Sequence, residues 1–240
     1  LGTVFSHYVL TAQLDATYVQ DTIVIQSSNR FEVNEKIGNQ TKNLAEQLDQ
    51  KTPVFVKDYG VGNLATVTYQ GCSANQTSLF WEGINLTPSN SGTTDFSLIE
   101  SYLFDEFNLG TSQNTRQGSG IGADVVLNNQ LELDPGVKVS GLVSYGSFHD
   151  LKSGLKYKYT DSSQVLSIAF LGGEAKNDYR FYHPVNKQFE DRINNNVSFL
   201  SGLLSYHDFI KKGYWFVKSW NRISDRQIPC LLYTSPSPRD

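Results

Sequence analysis

Four histidines, His7, His149, His183 and His207, are the first residues to test for chemistry, and none lies near another in sequence. Metal sites draw ligands from closely spaced pairs, so this scatter gives no ligand set. No serine, histidine and aspartate arrangement can be argued from spacing either. Gly118-x-Gly120-x-x-Ala123 fits the dinucleotide fingerprint formally. That motif must follow a strand and open a helix. Here Thr111–Gln117 precedes it, and Asp124-Val-Val-Leu127 follows and reads as a strand, so the match is dismissed. Asn39-Gln-Thr41 and three similar triplets fit the glycosylation pattern, which is too short to carry weight by itself. The expectation is a protein that binds and does no covalent chemistry: not an enzyme, with no catalytic residues and no metal or cofactor of its own.

Composition narrows what could be bound. The net charge is −4, so the basic face that nucleic acid requires is missing. No run of about 18 apolar residues marks a transmembrane helix. Membrane strands give a much weaker hydropathy signal, because they alternate. Thirteen Tyr and fourteen Phe suit the aromatic girdles of a membrane barrel and equally a soluble β-protein.

Two patterns must position whatever is bound. In the first half, Asn43 can cap a helix with Glu46 three residues on. Leu44 and Leu48 then share a face, and Thr52-Pro53 ends it. Short apolar runs at Val54–Val56, Val67–Gln70 and Ser78–Trp81 alternate with loops at Gly60–Thr66, Gly71–Thr77 and Asn90–Ile99. From Val137 the period becomes two. Val137, Val139, Val143 and Tyr145 oppose Lys138, Ser140 and Ser144; Leu155, Tyr157 and Tyr159 oppose Lys156, Lys158 and Thr160. Leu166, Ile168 and Phe170 oppose Ser167 and Ala169, and weaker strands are expected near Val197–Tyr206 and Tyr214–Trp220. Apolar-out, polar-in alternation is what a membrane barrel needs. Asp161–Ser163 and His207–Lys212 read as short turns, and Gly172–Asn195 as a long loop.

The order of these segments resembles that of the TonB-dependent outer-membrane receptors. Asp21-Thr-Ile-Val-Ile25 resembles their energy-coupling TonB box, and Asn29-Arg-Phe-Glu32 also matches the vitamin B12 (cobalamin) branch. Asn43–Leu48 resembles the first plug helix, and Ser78–Gly83 with Ile84–Leu86 the central plug strand. Asn90–Ile99 resembles the next loop and short helix, and Gly118–Gly122 the glycine-rich exit. The resemblance runs from residue 21 to about 229. Two departures stand out: Gln70-Gly71 and Leu109-Gly110 replace Arg-Gly pairs whose arginines usually sit in charge clusters between plug and barrel.

The resemblance implies an α+β plug domain followed by an N-terminal portion of an antiparallel transmembrane β-barrel. Five strands cannot close a barrel, since plugged transporters have about 22. Tyr214–Trp220 would then form a free sheet edge. The expected division is 1–20 signal-peptide remnant and leader, 21–29 TonB box and linker, 30–130 plug, and 131–229 first barrel strands. Residues 230–240, Cys230–Asp240, match the translation of a transposase sequencing adaptor and are set aside. Without Cys230 only Cys72 remains, so no internal disulfide is expected.

The implied function is energised import across the outer membrane of a Gram-negative bacterium. The implied partners are TonB, outer-membrane lipid and a small-molecule ligand, with no nucleic acid. Asp21, Thr22, Ile23, Val24 and Ile25 would couple to TonB by strand addition. Tyr59, Val61, Asn63, Leu64, Asn85, Ser91 and Gly92 would face the external cavity and touch the ligand. Cobalamin is the first ligand implied and a siderophore the second. The resemblance admits calcium in external loops, where Glu174, Asp178, Glu190 and Asp191 lie. The interspersed Lys176, Arg180, Lys187 and Arg192 favour a solvated polar loop. A signal-transducing receptor would need a further domain before the box. A secreted hydrolase or soluble β-protein would fit the alternation but predicts a catalytic constellation, and the sequence offers none.

Overall fold

The computed structural model describes residues 3–14, 33–38, 41–60, 63–111, 122–183, 187–192, 195–210 and 213–227. Strand β1 is Thr3–Leu14, and β2 is Val33–Lys36. Helix α1, Leu44–Lys51, starts where the sequence places it. Asn43 Oδ1 accepts from the Glu46 N–H at 2.9 Å, and Leu44 and Leu48 are fully buried. Thr52 ends the helix, its N–H reaching the Leu48 carbonyl at 3.0 Å. The hairpin β3 (Phe55–Asp58) and β4 (Ala65–Thr68) follows, then β5 (Ser78–Trp81), β6 (Ile84–Asn85), β7 (Glu106–Thr111) and β8 (Ala123–Asn128).

The first domain is built on a five-stranded sheet in the order β2-β7-β8-β5-β6. β5 and β8 are parallel neighbours, buried from Ser78 to Trp81 and from Ala123 to Leu127, which is why Leu79–Trp81 and Val125–Leu127 read as apolar runs rather than alternating ones. Trp81, Phe96, Tyr102, Phe104, Phe107, Leu79 and Leu127 fill the core beside this sheet. β7 escaped the sequence reading because Glu106-Phe-Asn-Leu-Gly-Thr111 has no clear period. Its pairing with β2 and β8 makes it a strand.

Gly122 enters β8 at φ +98, and an added Cβ would collide with the Gln76 carbonyl. Gly122→Ala is expected to cost about 1–3 kcal/mol through overpacking and left-handed strain, read as a lowered urea midpoint.

The second domain is one antiparallel sheet. Its strands are β9 (Gly136–Tyr145), β10 (Leu151–Thr160), β11 (Gln164–Ala175), β14 (Val197–Ile210) and β15 (Gly213–Arg226), with β1 beside β15. Alternation follows the expected phase. Val139, Tyr145, Leu155, Tyr159, Phe170, Leu200 and Ile223 are exposed on the outer face. Lys152, Lys156, Ala169, Leu171, Leu203, Lys218, Trp220 and Arg222 point inward against the first domain. Small residues on the inner face leave room for the plug: a side chain at Gly154 would strike Tyr102 and Leu171.

Three expectations change. The loop Gly172–Asn195 is not plain loop: β11 runs to Ala175, and β12 (Tyr179–His183) pairs with β13 (Gln188–Arg192) as a hairpin. Its aromatic cross-strand contacts, such as Tyr182 to Phe189 at 5.5 Å, supply the strand preference that the interspersed charges hid. β14 and β15 are longer than the sequence suggested, because register pairing continues from Ile210↔Gly213 to Val197↔Arg226. Tyr214–Trp220 is not a free edge. Thr3–Leu14, expected in part as a signal-peptide tail, pairs along β15 from Gly213 to Ser224 and takes up its outward row of backbone groups.

Candidate functional site

The first domain sits against the inner face of the second, and two loop clusters project from it. The tip between β3 and β4 carries three of the predicted ligand residues described. The Gly60 N–H donates to Asp58 Oδ1 at 2.8 Å, and the Asn63 N–H to the Gly60 carbonyl at 2.8 Å. Asn63 Nδ2 reaches the Tyr59 carbonyl at 3.2 Å. Tyr59 and Leu64 are exposed, and Lys57 Nζ lies 5.0 Å above the Tyr59 ring. The second loop carries Asn85, Ser91 and Gly92, all exposed. Asn85 Oδ1 accepts from the Thr87 N–H at 2.8 Å, and Ser91 Oγ donates to the Thr93 carbonyl at 3.0 Å.

Asp95 joins the bases of the two loops. Its Oδ1 accepts from the Ala65 N–H at 3.0 Å, beside the first loop, and from Ser97 N–H and Oγ at 3.0 and 2.7 Å. One carboxylate therefore braces both loops and leaves an exposed tyrosine, a leucine and amide side chains on their tips. Such groups suit a large polar ligand with some apolar surface. Val61 and the residues expected to couple to TonB, Asp21, Thr22, Ile23, Val24 and Ile25, lie outside the described residues. So do the adaptor-like residues 230–240. No group of three or more His, Cys, Asp or Glu side chains gathers among the described residues. Asp191 instead pairs with Arg180 at 3.9 Å.

The sequence reading missed the polar seam between the domains. The inward lysines of β10 reach plug groups in turn: Lys152 Nζ donates to the Thr41 carbonyl at 2.8 Å, and Lys156 Nζ to Asp105 Oδ1 at 3.2 Å. Lys138, by its hydrogen bond, and Lys158, by its charge, hold the Glu132 carboxyl below the ordinary value. On β15, Arg222 Nη1 meets Glu100 Oε1 at 3.0 Å, and Lys218 pairs with Glu82. Burial pushes the Glu100 carboxyl up, opposed by the Arg222 guanidinium. Gln70 is exposed and Leu109 is buried in the plug core, so neither supplies the charge that an arginine there would. The signal was present in the lysines at period two on β10 and in Lys218 and Arg222 four residues apart, which share a face of a strand.

No family model and no curated protein matches the chain. Solved structures do. The copper transporter OprC superposes with a TM-score of 0.59 at 11% identity, covering 78% of this chain and 28% of that one. The pyoverdine outer membrane receptor FpvA from Pseudomonas aeruginosa PAO1 gives 0.57 at 14% identity, covering 78% and 26%. The FrpB iron transporter from Neisseria meningitidis gives 0.56 at 12% identity, covering 79% and 31%. The chain thus spans about a quarter to a third of these proteins. At such identities the likeness establishes the fold, an α+β plug followed by the opening strands of an antiparallel barrel.

Proposed function

We propose that the chain is the plug and first barrel strands of a TonB-dependent transporter in the outer membrane of a Gram-negative bacterium. It imports a scarce ligand that binds above the plug. The observation that carries this reading is the plug sheet seated against the lysine-lined inner face of strands whose outer face is apolar. A free-standing soluble β-protein has no use for that combination. Outer-membrane lipid covers the outer face. TonB takes up Asp21–Ile25 by strand addition, which needs only backbone groups and a free edge.

For the ligand, a ferric siderophore or other metal complex stands ahead of cobalamin. The three similar structures described above are named for copper, pyoverdine and iron. Cobalamin rests on the resemblance of Asp21–Ile25 with Asn29–Glu32 to that branch. Tyr59, Val61, Asn63, Leu64, Asn85, Ser91 and Gly92 remain the proposed contact residues. The test is uptake by whole cells expressing the complete protein, with labelled ferric siderophores and cobalamin in parallel. Siderophore uptake that requires TonB supports the reading, cobalamin uptake alone reverses the ligand order, and no TonB-dependent uptake of any ligand refutes it. Combining Tyr59→Ala with Asn85→Ala is expected to weaken ligand binding by roughly tenfold or more, since truncating buried aromatic contacts costs about 2 kcal/mol. Unchanged binding would move the site elsewhere.

A further inference from the structure

The outer face of the second domain is bounded by two polar rows. Glu174, Ser198 and Asp225 stand side by side across β11, β14 and β15, and all three are exposed. Gln164, Asp208 and Trp215 form the matching row at the other end. Trp215 Nε1 donates to Asp208 Oδ2 at 3.1 Å, and its ring lies 5.1 Å from that of Tyr206, as in an interfacial aromatic belt. Between the rows, β14 turns Leu200, Gly202, Leu204 and Tyr206 outward, and none is charged. Ten residues separate Ser198 from Asp208, about 33 Å of strand. At a strand tilt of about 40° that is roughly 25 Å across the membrane, the height of an apolar band. The long connection that carries β12–β13 joins β11 to β14 at the Ser198 end, so that row is the external one.

A cleft of about 190 Å³ opens midway in this band, where β11, β14 and β15 run side by side. Phe170, Leu200, Leu204 and Ile223 wall it, and Gly202 lies between them. Gly202 is four residues from the external row and six from the other, so roughly 10 Å and roughly 15 Å from the two edges of the band. Its backbone is not left-handed, so no turn requires glycine there. Space does: an added Cβ would stand 3.1 Å from two atoms of the Phe170 ring. A glycine inside a strand weakens it and marks a close approach to the backbone. Ser219 and Asn221 edge the cleft on β15 and satisfy each other, Asn221 Nδ2 donating to Ser219 Oγ at 2.8 Å. Ordered water needs several polar partners, which this cleft does not offer. On the transporter reading above, lipid surrounds this face, with its headgroups level with the polar rows. What reaches the middle of the band is hydrocarbon. The geometry points to a binding cleft for one acyl chain of an outer-leaflet lipid, entered from the Glu174–Asp225 row and seated over Gly202 between Phe170, Leu204 and Ile223. A flat wall touches a chain on one side, whereas this cleft touches it on several and gains contact on each.

The test uses the complete protein, extracted from outer membranes into octyl glucoside and offered dipalmitoyl phosphatidylethanolamine. Native mass spectrometry reads both the lipid retained and the oligomeric state. Gly202→Leu fills the cleft and is expected to weaken lipid retention by about tenfold, as losing the burial of roughly two methylene groups does. Val139→Leu lies on the same exposed face outside the cleft and should retain lipid as the wild type does. Leucine at 202 crowds Phe170, so Ile223→Trp, which fills the cleft from its exposed rim, is expected to show the same loss and stands in where Gly202→Leu does not fold. Equal retention by the wild type and the filled variants would overturn the cleft. So would a wild type that keeps no lipid, or an equal loss in Val139→Leu. A wild-type dimer that the filled variants break would give the cleft to a second copy and overturn it as well. Wild-type protein absent from the outer-membrane fraction refutes the transporter reading itself, so the two failures are distinct.

Discussion

Ile23→Pro is expected to lower ligand uptake at least about a hundredfold while external binding stays within about twofold. On the reading proposed above, Asp21–Ile25 would offer TonB a row of backbone N–H and C=O groups. Proline removes one N–H and fixes φ, at a cost of about 3 kcal/mol in a regular element, or about two decades in an equilibrium. Val24→Ala keeps the backbone and should cost far less. On the proposed reading TonB acts from the periplasm and the ligand binds outside, so binding should not respond. Uptake and binding measured on the same cells decide it. Normal uptake by the proline variant would remove Asp21–Ile25 from the coupling role, and loss of binding as well would make the segment structural.

Trp81→Ala is expected to destabilise the plug by about 3–5 kcal/mol, the usual cost of deleting a large buried aromatic. Trp81 ends β5, the strand parallel to β8, and is 2% exposed. Its ring meets Phe104 edge-on at 6.3 Å, and its Nε1 donates to Asn129 Oδ1 at 2.9 Å. Asn129 in turn donates to the Leu103 carbonyl at 3.0 Å, so the cavity would also loosen the link to the 101–103 turn. Against a typical stability of about 5–15 kcal/mol, that loss leaves the plug open to protease. Trp81→Phe, which keeps most of the volume and loses the N–H, should cost about 1–3 kcal/mol. Limited proteolysis of both variants beside the wild type measures the order. Equal resistance of Trp81→Ala and wild type would show that β5 is not central to the core.

The elements set by local pattern are legible in the amino-acid sequence alone. α1 begins at its asparagine cap because Asn43 can hold the Glu46 N–H whatever surrounds it. The phase of β9, β10 and β11 follows from period two, since a slip of one residue would turn Val139, Leu155 and Phe170 inward and Lys138, Lys156 and Ala169 outward. What sequence spacing could not supply is which distant groups meet. β7 is a strand only because β2 and β8 lie on either side of it. The hairpin β12–β13 was hidden by charges that its aromatic pairs outweigh. The brace of Asp95 on both loops joins residues thirty positions apart, Ala65 and Asp95. Glu100 and Arg222 stand 122 positions apart, and neither has a local signature. Amphipathic period and capping act between near neighbours, so a sequence carries them openly. Charge pairing across two domains depends on loop closure and on the packing of both faces, and tertiary structure decides it.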